Sequence, residues 1–219
     1  MTSMLVRDQW CSYLRSLEDS SPELAKLISH LPIESGLGDG HATLQGLMAA
    51  EKTNDTALAQ DIVITWGDVF FQHAEIIDEL LSFPRKGSGL LPVVHKSNPS
   101  VSLLVNEEMQ CVSAEFSKHG EHHLNGYHDQ SVFRFARPTL RESLRVLHNS
   151  LWKGSRYIAP GGELSLLFAL HQLYNFGDPA YVYETRYPTL SFNSVEEVTT
   201  IQERISGYSE FPPISWTPG

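Results

Sequence analysis

The stretch VSLLVNEEMQCVSAEF, residues 101–116, contains two β-strand patterns separated by a short polar turn. Residues 101–105 and 109–116 are rich in apolar and β-branched side chains, which favour strands. The three residues between them, Asn106, Glu107 and Glu108, match a short hairpin connection. We therefore predict an antiparallel hairpin at the centre of the chain.

The C-terminal half continues with further strands and helices. SVFRFA, residues 131–136, alternates as a third strand, and Pro138 begins a helix that runs to Leu151. Residues 164–176 are apolar almost all round, which predicts a buried helix that ends at Gly177. A fourth strand is expected over 181–187 and a last helix over 193–208.

The N-terminal half favours helices. In residues 56–83, apolar side chains recur at steps of three and four, which predicts a long helix despite the β-branched run over 62–65. Its acidic residues, such as Asp61 and Asp68, are expected to form a solvated face rather than a magnesium site. Two shorter helices are predicted over 4–17 and 20–31, followed by a loop.

These elements predict an α+β fold, a mainly helical single domain with a small antiparallel sheet formed mainly between residues 100 and 136. The chain has 219 residues, which is enough to bury a substantial core. We find no internal repeat or change of composition, so one globular domain is expected over residues 1–219.

The net charge of −10, from 16 basic and 26 acidic residues, argues against a nucleic-acid-binding protein. The two cysteines, Cys11 and Cys111, have no metal-binding or disulfide spacing, which fits a reducing compartment. The N-terminus lacks a signal-peptide core, and no apolar run is long enough to span a membrane. We expect a soluble, cytoplasmic, acidic protein.

The segment KHGEHHLNGYHDQ, residues 118–130, is unusually rich in histidine. If it is extended, His119, Glu121 and His123 share one face and provide two imidazoles and a carboxylate, a set that suits a divalent transition metal such as iron or zinc. This trio is preferred over His122 and His128. A hydrated hairpin tip is the alternative, because glycines flank the segment.

A second candidate site lies in WKGSRYIAPGGELSLLF, residues 152–168. Arg156, Gly161 and Gly162 precede the predicted buried helix, whose first amides would be unpaired and able to bind an anion. No P-loop motif is present. The alternative is a glycine-containing turn beside solvated basic residues.

Together these features favour a metal-dependent enzyme or ligand-binding protein that acts on a small anionic molecule through a His/Glu site. The alternative function is a non-catalytic acidic interaction or inhibitor module that binds a basic protein partner. An enzyme needs a concave pocket with converging polar groups, whereas an interaction module needs a broad acidic face.

Overall fold

The computed structural model describes residues 15, 19–25, 36–52, 60–84, 86–117, 125–191, 199 and 201. The chain forms two compact units. Unit 1 contains Met1–Leu58 and Leu147–Leu166, and unit 2 contains Ala59–Val146 and Leu167–Gly219. The expectation of one domain over residues 1–219 stays a prediction.

Five α-helices and nine strands are assigned within the described residues. In chain order they are α1 (Pro22–Ala25), α2 (Asp39–Lys52), β1 (Asp61–Thr65), β2 (Val69–Phe70), α3 (Glu75–Ser82), β3 (Gly89–Ser97), β4 (Val101–Val105), β5 (Gln110–Phe116), β6 (Asn125–Asp129), β7 (Val132–Ala136), α4 (Arg137–Leu151), α5 (Phe168–Asn175), β8 (Ala180–Glu184) and β9 (Leu190–Ser191). None of these helices has the length and apolar character to cross a membrane.

Unit 2 is built on a seven-stranded mixed sheet with the order β1-β7-β3-β6-β4-β5-β8. Strand β3 has three partners in this sheet, because it pairs antiparallel with β6 and β7 and parallel with β8. Leu91 and Val93 of β3 are fully buried. A separate pair of short strands joins β2 to β9.

The prediction of a mainly helical fold with a small antiparallel sheet is therefore wrong. The sheet extends well beyond residues 100–136, because β1, β3 and β8 all belong to it. Strand β3 is hard to detect from sequence because Pro92 lies in its middle and its buried first half has no polar alternation. The parallel pairing of β3 with β8 joins segments about 90 residues apart, and no local pattern encodes it.

The long helix predicted over 56–83 is also wrong. The described part of this range forms β1, β2 and only a short helix, α3. The run Ile62–Val63–Ile64–Thr65 decides the outcome, because β-branched side chains lose rotamers in a helix and pack well in a sheet. Strand β7 supplies an antiparallel partner for every residue of β1.

Several local predictions are confirmed. The hairpin joins β4 to β5, and the Asn106 side chain accepts hydrogen bonds from the amides of Glu108 and Gln110 at 3.1 and 2.9 Å. The strand over 131–136 is β7, the helix after it is α4, and the strand in 181–187 is β8. The helices predicted over 4–17 and 193–208 lie almost entirely outside the described residues.

The buried helix predicted to start at Leu164 begins later, at Phe168. Leu164, Leu167 and Leu170 are buried as predicted, whereas Phe168 is half-buried. In unit 1, the backbone around Leu164 pairs with the start of α2 instead: Gly40 N donates to Leu164 O, and Leu164 N donates to Leu37 O, each at 2.9 Å. A Cβ atom at Gly38 would lie 2.4 Å from Leu164 O, so this approach requires glycine.

Candidate functional site

Unit 2 contains a cavity of about 330 Å³, which is within the usual range for small-molecule sites. Its walls come from the ends of two paired strands, the turn after β6 and the segment that leads into β9. The lining residues are Val94, Lys96, His128, Asp129, Gln130, Ser131, Pro188, Thr189, Leu190 and Ile201. The lining is therefore mixed, with charged and amide groups beside an apolar wall.

The turn from Asp129 to Ser131 forms one part of this lining. Asp129 is only 1% exposed, and its Oδ1 accepts a hydrogen bond from the Ser131 amide at 2.8 Å. Ser131 has a φ of 57°, an uncommon conformation for a residue other than glycine. The Asp129 side chain thus stabilises a backbone turn that sets the direction of the cavity wall.

Gln130 joins the two sides of the cavity. Its Nε2 donates to the carbonyls of His128 and Asp129 at 3.2 and 3.1 Å. Its Oε1 accepts from the Thr189 amide at 2.8 Å, and the Thr189 hydroxyl donates to the Gln130 carbonyl at 3.0 Å. The segment 188–190 is held against the end of β6 by these bonds.

His128 has a defined orientation in this lining. Its Nδ1 lies 3.0 Å from the carbonyl oxygen of Val101 on the neighbouring strand. A carbonyl can only accept, so Nδ1 is the donor in this contact, and Nε2 is then the acceptor nitrogen in the neutral form of the ring. Lys96, which is exposed, adds a positive charge to the same cavity.

Asp68 lies in the turn between β1 and β2. The residues at both ends of this turn bond to residues that line the cavity. Trp66 N donates to Ser131 O at 3.1 Å, and Phe70 pairs with Leu190. Asp68 itself is half-buried, unlike the solvated side chain predicted for it. Within the described ranges, however, no group of three or more His, Cys, Asp or Glu residues could hold a metal ion.

Cys111 lies in the core near Asp129 and has no catalytic character. It is fully buried, and burial, together with the negative charge of Asp129, raises the pKa of its thiol to about 12. The thiol therefore stays protonated, whereas a nucleophilic cysteine needs a lowered pKa. Cys111 is therefore a small buried side chain of the core.

The predicted metal ligands His119, Glu121 and His123 lie outside the described residues. The predicted anion site is described, and it lies in unit 1. Gly161 and Gly162 form part of a 3₁₀ turn with φ values of 74° and 78°, and Arg156 is exposed with its Cβ 4.0 Å from the Cβ position of Gly162.

The helix end predicted for this anion site is not there. Glu163 is extended, with a φ of −117° and a ψ of 150°, and α5 starts only at Phe168. The Gly162 amide donates to Ala159 O. The structure thus places Arg156 beside Gly162 but does not place either at a helix N-terminus. Binding of an anion by Arg156, Gly161 and Gly162 stays a prediction.

Sequence reasoning missed most of the cavity. The sequence favours the His119 trio over His128, and it does not indicate Asp129 or Gln130 as site residues. The sequence feature that could have indicated these residues is the polar run 128–131, which lies directly before the apolar strand β7. Polar groups at such a junction are candidates for a site, but their burial and partners are visible only in the folded chain.

Solved structures resemble this fold at low sequence identity. A UDP-glucose pyrophosphorylase complexed with UDP-glucose has a TM-score of 0.63 and 12% identity, over 92% of this chain and 77% of that chain. HddC from Yersinia pseudotuberculosis complexed with GMP-PN has a TM-score of 0.54 and 14% identity, over 89% and 73%. The inositol-1-phosphate CTP transferase from T. maritima has a TM-score of 0.56 and 14% identity, over 82% and 65%.

No family model matches the sequence, and no curated protein matches it. At these identities the likeness concerns the fold alone. The structural neighbours are nucleotidyltransferases that act on small phosphorylated molecules. The chain described here is similar to them in its mixed, Rossmann-like sheet with flanking helices.

Proposed function

We propose that this protein binds a sugar phosphate or sugar nucleotide in the cavity between β3, β6 and the segment 188–190. The observation that carries the proposal is a cavity of small-molecule size, lined by Lys96 and His128, on a fold whose solved examples include complexes with UDP-glucose and GMP-PN. This reading agrees with the sequence-based expectation of a small anionic ligand.

The lining suits such a ligand chemically. The Lys96 ammonium attracts a phosphate, and His128 Nε2 can accept a hydrogen bond from a hydroxyl or from a protonated phosphate. The hydroxyls of Ser131 and Thr189 can exchange hydrogen bonds with sugar hydroxyls, while Pro188 and Leu190 offer an apolar surface for a ring. The cavity volume is near the lower limit for ligand sites, which favours a monosaccharide phosphate over a complete sugar nucleotide.

The test is calorimetric titration with glucose 1-phosphate and UDP-glucose. Lys96→Ala should weaken binding by about tenfold or more, since a charge-assisted phosphate contact contributes about 1.5 to 3 kcal/mol. Lys86→Ala is the matched control, because Lys86 is also an exposed lysine of unit 2 but does not line the cavity. Equal affinity in wild type and Lys96→Ala, or no binding of either compound, would contradict the proposal.

An activity assay then separates an enzyme from a binding protein. UTP and glucose 1-phosphate are incubated with the protein, and release of pyrophosphate is measured with a coupled assay. Pyrophosphate release that is lost in His128→Gln would indicate nucleotidyl transfer at this cavity. Binding without turnover would limit the function to ligand recognition.

The metal site predicted at His119, Glu121 and His123 needs its own test, because no finding supports iron or zinc there. Elemental analysis of the purified protein should show bound metal, and His119→Ala combined with His123→Ala should remove it while the circular dichroism spectrum is unchanged. A metal-free protein that takes up neither ion in a titration would show that the segment is not a metal site. The net charge of −10 is the one observation that supports the alternative function, an acidic interaction module.

A further inference from the structure

Unit 1 contains a cluster of four ring side chains, His41, His148, Trp152 and Tyr157. The Tyr157 hydroxyl lies 2.6 Å from Nδ1 of His41 and 2.8 Å from Nδ1 of His148. Tyr157 is 2% exposed and His41 is 8% exposed, whereas His148 and Trp152 are half-buried. One hydroxyl thus contacts two titratable rings in a largely buried place.

Three separate segments bring these side chains together. His41 is in the first turn of α2, His148 is in the last turn of α4, and Trp152 directly follows α4, with its amide bonded to His148 O. Tyr157 is held by a bridge to Trp152, and its amide donates to Gly162 O at 3.0 Å. The glycine turn predicted as an anion site therefore positions Tyr157.

Proton counting restricts what this cluster can do. A tyrosine hydroxyl has one hydrogen, so it can donate to one Nδ1 and must accept from the other. The two neutral histidines therefore carry their protons on different nitrogens. If both rings were protonated, both Nδ1 atoms would be donors, and the hydroxyl hydrogen would have no acceptor between them.

A single positive charge is tolerated better than two. The Trp152 ring is stacked on His148 at 5.6 Å and 23°, and on His41 at 6.2 Å and 28°, so its face can stabilise one imidazolium. A second charge would place two cations with ring centroids 6.1 Å apart in a largely buried place. Burial also raises the pKa of Tyr157, so the hydroxyl keeps its proton.

We propose that the hydrogen bonds of Tyr157 to His41 and His148 stabilise unit 1 in a pH-dependent way, and we call these three residues the lock. The hydrogen bonds break, and unit 1 opens, when both histidines are protonated. The unfolded chain can protonate both rings below the ordinary histidine pKa of about 6.5. The unfolded state then binds more protons than the folded state, so the stability of unit 1 falls as the pH decreases below that value.

Several other charged groups on the described parts of these segments do not supply this effect. Asp39, at the start of α2, accepts a hydrogen bond from the Leu166 amide, and burial raises its pKa, which makes the folded state more stable as the pH falls. Glu51 and Lys52 are about 15 Å along α2 from His41. Lys153, Arg156 and Glu163 are exposed, and Glu142 and Arg145 on α4 pair with each other at 2.5 Å.

The first test is nitrogen-15 NMR of the histidine rings in the wild type at pH 8. We expect opposite tautomers for His41 and His148, and loss of this complementarity in Tyr157→Phe. Tyr127→Phe is the matched control, since the Tyr127 hydroxyl donates to Glu184 in unit 2. The same tautomer on both wild-type rings would overturn the proposal, and this result needs no variant to fold.

The second test follows acid opening by hydrogen exchange of amides in 39–52 and 147–166. His148→Gln keeps a polar side chain but removes one titrating ring, so the opening midpoint should move down by about one pH unit or more. The exposed His171→Gln should not change it. An unchanged midpoint of acid opening in His148→Gln would overturn the proposal. Saturable zinc uptake that depends on Tyr157 would also overturn it, because the cluster would then be a metal site.

Discussion

Gln130 shows how one buried side chain can organise a cavity. It is 2% exposed, and its amide connects the end of β6 to Thr189. A buried amide is stable only when its donors and acceptors are paired, so the position of Thr189 follows from that of Gln130. The shape of the cavity thus depends on a residue whose polar atoms are already engaged by the protein.

We predict that Gln130→Ala lowers the free energy of unfolding by about 1 to 3 kcal/mol, because the Thr189 amide loses its acceptor. Urea denaturation of unit 2, followed by circular dichroism, measures this change. Gln60→Ala is the matched control, since Gln60 is exposed and its backbone carbonyl, which the substitution keeps, accepts from Arg137 N. Equal stability of the two variants would show that the hydrogen bonds between Gln130 and Thr189 contribute little to the free energy of unfolding.

At the scale of the elements, Arg134 connects three of them. It lies on β7, and its Nε and Nη2 donate to Asp61 on β1 at 2.9 and 2.7 Å. Its Nη1 donates to the carbonyls of Leu80, Leu81 and Phe83 at 3.1 to 3.3 Å. Carbonyls at the end of a helix have no donor within the helix, so Arg134 supplies one from outside. Its positive charge also interacts favourably with the negative end of the helix dipole.

Arg134→Ala should therefore destabilise unit 2 by about 1.5 to 3 kcal/mol, the range for hydrogen bonds that involve a charged group. Arg134→Lys should recover only part of this loss, because an ammonium cannot reproduce the planar fork of the guanidinium. Thermal unfolding measures both variants. Arg145→Ala removes a surface pair with Glu142 and should change stability little; a similar loss there would refute the special role of Arg134.

At the scale of the whole molecule, the net charge of −10 governs long-range interactions. A phosphate-bearing ligand must approach against this field, so a local cation such as Lys96 has to compensate at the cavity. A polyanion would meet the same repulsion over a much larger area. The expected cytoplasmic location stays a prediction.

We predict that the protein does not bind duplex DNA at about 150 mM salt. Non-specific binding depends on the release of counterions by a basic face, and 16 Lys and Arg residues are outnumbered by 26 acidic ones. Fluorescence anisotropy of a labelled duplex should stay flat up to about 100 µM protein. A saturable, salt-sensitive rise would show a concentrated basic surface that the net charge conceals.

Local sequence was sufficient where neighbouring residues decide the structure. The hairpin around Asn106, strand β7 and helix α4 follow from turn residues, alternation and a helix start. It was insufficient for residues 61–65, where helical spacing and β-branching disagree and only the partner strand β7 decides. The same limit applies to β3, whose partners come from three other parts of the chain.

The candidate site shows this division most clearly. The sequence by itself determined the net charge, the histidine-rich segment and the pair of glycines at 161–162, because these depend on residue identity alone. Only the tertiary structure decided that Asp129 and Gln130 are buried beside His128, and that Tyr157 lies between His41 and His148. The physical reason is that hydrogen bonding and burial depend on distances in space, which distant segments set when they pack.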